Sequence, residues 1–137
     1  MQGSLELDLV ALRKLRDDDE SGALKEYFGD GEDPREWSYK VGGREKSCVT
    51  IADGRVTTLV LFKCTSLATL PAAIGELKAL TTIYLAQCPS LAALPDAIGE
   101  LKALTELGLN GCDNLLLPDA IVWREGLDVT LPDWAGP

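Results

Sequence analysis

Three cysteines recur at one interval: Cys64, Cys88 and Cys112 stand 24 residues apart, and a fourth lies at Cys48. Thiols are soft metal ligands and, once ionised, nucleophiles. The chain has no histidine, which removes the commonest general base, the Ser-His and Cys-His pairs and most zinc sites. An interval of 24 residues puts one thiol at the same position of each successive unit. That spacing predicts a ladder of small buried groups whose S–H donors meet backbone carbonyls after each strand. Cys48 lies outside the ladder. Arg44 and Lys46 beside it would favour thiolate, so it is read either as a reactive thiol or, in preference, as a half-buried cap residue.

Two acidic runs, Asp17-Asp18-Asp19-Glu20 and Asp30-Gly31-Glu32-Asp33, suggest calcium. The second lacks the ligand ladder and closing glutamate of an EF-hand loop, and both read as a solvated helix end and loop. Val41-Gly42-Gly43-Arg44-Glu45-Lys46 carries glycines and a lysine without P-loop spacing, and a hairpin turn accounts for it better. The expectation is therefore no catalysis, no metal and no cofactor.

The elements that carry the cysteines come from an internal repeat. Cys64–Gln87 lies over Cys88–Gly111 with 16 of 24 positions identical. A third copy starts at Cys112 and degrades after Ile121, and Val56–Cys64 matches the end of a unit. Within a unit, Ile83 and Leu85 alternate with Thr82 and Tyr84, as a strand with one buried face requires. Pro71 and Pro95 stand where a short helix or tight turn begins.

The spacing Leu-x-x-Leu-x-Leu-x-x-Cys resembles the leucine-rich-repeat family. The fuller pattern Cys-x-x-Leu-x-x-Leu-Pro-x-x-Ile-Gly-x-Leu-x-x-Leu, at Cys64–Leu80 and Cys88–Leu104, is similar to repeats of plant intracellular disease-resistance receptors and Roco-type GTPases. That resemblance implies an α/β solenoid, with a parallel sheet on the concave side and short helices or turns on the convex side. It also implies ligand sensing and protein contact. The expected layout is a helical and hairpin N-terminal cap over residues 1–55, repeats over 56–121 and a C-terminal cap over 122–137, all in one structural domain.

In the N-terminal cap, Leu5, Leu9, Leu12 and Leu15 predict one helix, and Leu24, Tyr27 and Phe28 a second. Trp37, Tyr39 and Val41 alternate, as do Val49 and Ile51, and Ala52-Asp53-Gly54 predicts a turn into the strand at Val56. The early helix, Trp37 and Gly54–Leu61 resemble the N-terminal cap of plant receptor-type repeat proteins, without the cysteine pair of those caps. At the other end Leu127, Val129 and Leu131 predict a closing edge strand with Trp134 as a lid.

The formal charge is −9, spread along the chain. Nucleic acid and anionic membranes require clustered positive charge, so neither is an expected partner. The N-terminus lacks the features of a secretory signal and no apolar run spans a bilayer, which favours a cytoplasmic setting, or a secreted one if a signal peptide has been removed. The expected function is protein–protein interaction through the concave face, in recognition or signalling. The candidate contact residues are Thr58, Val60, Phe62, Thr82, Tyr84, Glu106 and Asn110. The partner is a protein, and the chain is a monomer or a weak homo-oligomer. The alternatives are a self-assembling structural protein and an excised domain of a larger receptor.

Overall fold

The computed structural model describes residues 4–109, 111, 112, 115 and 128–130. Helix α1 spans Ser4–Asp18 and α2 spans Ala23–Phe28. A 3-10 turn at Pro34–Glu36 leads into strands β1 (Ser38–Val41) and β2 (Arg44–Ser47), which form a two-stranded antiparallel sheet closed at Gly42-Gly43. Strands β3 (Val49–Ala52), β4 (Arg55–Phe62), β5 (Thr82–Ala86), β6 (Glu106–Gly108) and β7 (Asp128–Thr130) form a five-stranded sheet in that order. β3 runs antiparallel to β4, and the remaining neighbours are parallel.

This arrangement corrects the expected solenoid and repeat-protein architecture. The chain is a small mixed α/β fold with two sheets, one of them partly parallel, and two helices. The segments that return the chain after β4 and β5 are five-residue 3-10 turns, Ala72–Glu76 and Asp96–Glu100, which pack on each other. The difference lies in helix α1, which also packs against the Ala72–Glu76 turn, and Lys14 reaches Glu76 at 3.1 Å across that contact. The N-terminal elements and the later strands consequently share one core, in which Leu12, Leu15, Leu24, Leu59, Leu85 and Leu101 have no exposed surface.

The 24-residue period of the sequence appears as strand register: Thr58 pairs with Thr82 and Thr82 with Glu106. It appears also in the backbone, where Lys63, Gln87 and Gly111 all take positive φ, at 61°, 56° and 80°. Each of these residues turns the chain out of its strand immediately before a cysteine. Between the two 3-10 turns the approach is close. A Cβ on Gly75 would stand 2.8 Å from the Cβ of Ala97, so only glycine fits there without pushing the turns apart.

On β4 the buried residues are Val56, Leu59 and Leu61. The odd step from 56 to 59 has a physical cause: the β3–β4 register slips between Thr50 and Ile51, leaving Thr57 as the extra residue of a bulge. The carbonyl of Thr57 is not lost, because it accepts the Thr81 N–H at 2.8 Å. Downstream, most of residues 113–137, including Ile121 and Trp134, lie outside the described residues, so the degraded third copy and the aromatic lid do too. Among the described residues, no helix is long and apolar enough to cross a membrane.

Candidate functional site

Alternation along β4, β5 and β6 sends Leu59, Leu61, Ile83, Leu85 and Leu107 into the core, and the residues between them to the opposite face of the sheet. Pairing sets that face out in rows: Thr58, Thr82 and Glu106; then Val60, Tyr84 and Gly108; then Phe62 and Ala86. Thr58, Val60, Phe62, Thr82 and Glu106 are half-buried. Asn110, the remaining candidate, lies outside the described residues.

The two aromatic candidates differ. Phe62 is drawn towards the N-terminal elements: its ring centre is 5.7 Å from that of Tyr39 on β1, and the Lys63 ammonium sits 5.2 Å over it. Tyr39 continues a row of rings through Tyr27 and Phe28 to Trp37, and the Tyr27 hydroxyl donates to the carbonyl of Val60 at 2.8 Å. Phe62 is therefore a packing residue as well as a surface one.

Tyr84 stands apart from that row and is 39% exposed. Its hydroxyl donates to Glu106 Oε2 at 2.9 Å. Its ring lies against Gly108 on β6, where an added Cβ would come within 2.7 Å of Tyr84 Cδ1. Gly108 and Tyr84 occupy the same position of successive repeats, so a large residue lies over the gap left by a small one. Composition gives no hint of Gly108 as a seat. The signal is the contrast of sizes at equivalent repeat positions. The hydrogen bond to Glu106, reinforced by burial and the nearby carboxylate charge, raises the Tyr84 pKa above its ordinary value.

The four cysteines are thiols, not disulfides, and all are buried. Cys88 Sγ donates to Ala86 O at 3.5 Å and Cys112 Sγ to Leu85 O at 3.2 Å. Cys48 is fully buried, deeper than its sequence suggests, while Arg44 and Lys46 are exposed. Burial pushes its thiol up to about 11 despite a hydrogen bond with Tyr27 that lowers it, so the reactive-thiol reading is set aside. Cys88 also reaches about 11: hydrogen bonding with Cys112 pulls it down, and hydrogen bonding with Cys64 together with burial outweighs that. Burial, then Cys48, raises the Tyr27 phenol in the same direction.

These raised values make a pH prediction. The unfolded chain releases such protons at lower pH than the folded one, so their stabilisation is whole below the ordinary thiol value of 9.0 and is lost as pH rises above it. The urea midpoint is expected to be lower at about pH 10.5 than at about pH 8. At the lower pH a thiol reagent should count four groups only after denaturation. Rapid labelling of the native protein, or a flat midpoint, would contradict the burial of these groups.

The acidic runs have structural partners. Asp19 accepts from Ser21 N–H at 3.1 Å and Leu24 N–H at 2.9 Å, closing the entry to α2. Asp33 accepts from the Arg35 N–H at 3.0 Å and starts the Pro34–Glu36 turn. Among the described residues, no group of three or more His, Cys, Asp or Glu is placed to hold a metal ion. No family model matches the chain, and no curated protein matches it.

Proposed function

We propose that this chain is a protein-binding module and not an enzyme, and that it meets its partner on the outer face of β4, β5 and β6 with Tyr84 as the anchor. The observation that carries this reading is a tyrosine 39% exposed in mid-sheet yet held in one orientation by Gly108 and Glu106. An aromatic fixed before binding supplies contact area with little further loss of side-chain freedom. The face around it is hydroxyl-rich and half-buried, formed by Thr58, Thr82 and Val60. Four cysteines kept as thiols favour a reducing compartment, and the cytoplasm fits this reading.

Capture of partners by the immobilised full chain tests it. Tyr84→Ala should weaken capture by more than ~1 kcal/mol while changing stability by no more than about 0.5 kcal/mol. Lys78→Ala, on the 3-10-turn side where Lys78 pairs with Glu100 at 3.2 Å, should do neither. Equal behaviour of the two variants in capture would sink the reading.

One observation favours a second reading, self-association. Leu7 and Val10 on α1 are 71% and 48% exposed and lie one turn apart. Sedimentation over a concentration series decides it: a monomer at the highest concentration rules self-association out.

A further inference from the structure

We propose that the Tyr84–Glu106 pair is a receptor for a basic side chain: a lysine or arginine of the partner protein lies over the Tyr84 ring with its charge against the Glu106 carboxylate. The inference rests on the outer sheet face being the interface, and it names the chemistry that this face recognises.

The ring comes first. Gly108 leaves no side chain beneath Tyr84, so the ring settles across β6 while staying 39% exposed. The hydroxyl is anchored on Glu106 Oε2 at 2.9 Å, which fixes ring and carboxylate side by side. An aromatic face carries negative potential, and a cation within about 6 Å of its centre is attracted to it. A carboxylate at the edge of the same ring adds a full charge for that cation to meet.

Two other rings of the chain already carry a cation of their own, Arg16 at 5.2 Å over Trp37 and Lys63 at 5.2 Å over Phe62. Among the described residues, Tyr84 has no such cation over it, and none of the ion pairs involves Glu106. The rest of its row is hydroxyl-bearing: Thr50, Thr58 and Thr82 lead to Glu106. Among the described residues no basic residue shares that row, and the chain as a whole carries −9. Charge complementarity therefore selects a basic partner segment over an acidic or purely apolar one.

The test uses the full chain and three acetylated, amidated hexapeptides alternating glycine with arginine, lysine or glutamate, followed by amide chemical shifts. The arginine and lysine peptides should shift Tyr84, Glu106 and Gly108 saturably, and the glutamate peptide should not. Glu106→Gln keeps an acceptor for the tyrosine hydroxyl and should weaken the basic peptides about five- to tenfold, as should Tyr84→Leu. The same spectra report whether each variant is folded. Shifts concentrated at Asp17–Glu20 or Asp30–Asp33, with affinity unchanged in Glu106→Gln, would overturn the assignment. So would a captured partner lost with Tyr84→Ala but retained with Glu106→Gln, and that result would leave the face itself standing as the interface.

Discussion

Replacing Leu85 by alanine is expected to remove about 2–5 kcal/mol of folding stability. Leu85 has no exposed surface and sits on β5, with β4 and β6 on either side. Its register partner on β4 is Leu61, itself fully buried, and its own carbonyl accepts the Cys112 thiol at 3.2 Å. Truncation loses the transfer energy of the removed carbons and leaves a cavity that two hydrogen-bonded neighbour strands prevent from collapsing. Urea melts measure the loss directly. A value below about 0.5 kcal/mol, the range of an ordinary surface change, would mean that Leu85 is not in the core. Tyr84→Ala, one residue away on the other face, provides the internal contrast.

That contrast is legible in the sequence. Alternation around Ile83 and Leu85 and the 24-residue offset are enough to place Thr58, Thr82 and Glu106 in one row. The Asp53-Gly54 turn is legible too, because both residues take positive φ, at 53° and 74°, and Asp-Gly is the dipeptide that tolerates it. The architecture is not. Extrapolating two sequence units to a solenoid assumes that each unit packs only on others like itself, and here the 3-10 turn at Ala72–Glu76 meets helix α1 as well as the Asp96–Glu100 turn. Repeat similarity reports what the units share and says nothing of what lies against the first of them.

The site is unevenly legible for related reasons. Tyr84 is visible in the alternation as an outward aromatic. The involvement of Phe62 with Tyr39 depends on where the β1–β2 hairpin lands, and no local pattern encodes that. Two charged residues of α1 carry a signal of a different kind. Arg16 is 4% exposed, donates to the carbonyls of Gly29 and Gly31 at 3.1 and 2.7 Å, and stacks on Trp37. Asp8 is 1% exposed. Both fall on the apolar stripe drawn by Leu5, Leu9, Leu12 and Leu15. A charge standing on such a stripe is the sign that a buried partner waits elsewhere in the chain.

For Asp8 that partner is the start of β4, and Asp8→Ala is expected to lower stability by about 2–4 kcal/mol. The carboxylate accepts from Arg55 Nε at 2.8 Å and Nη2 at 3.1 Å, and from the Val56 backbone N–H at 3.0 Å. One side chain thus ties α1 to the strand that begins the parallel part of the sheet. Alanine leaves the guanidinium without its counter-charge and the buried Val56 N–H without an acceptor. Arg55 is 34% exposed and can turn to solvent, which keeps the loss below that of a fully enclosed pair. Asp8→Asn retains an oxygen for Val56 but not the charge, so it should fall between wild type and alanine. Asp8→Ala and Arg55→Ala together should cost less than the two single losses added, by about 1 kcal/mol or more, because each removes the same contact. Chemical denaturation of the four proteins of that cycle, and of Asp8→Asn beside them, measures it. Strict additivity, or an alanine variant no less stable than the asparagine one, would show that this clamp does not hold helix and sheet together.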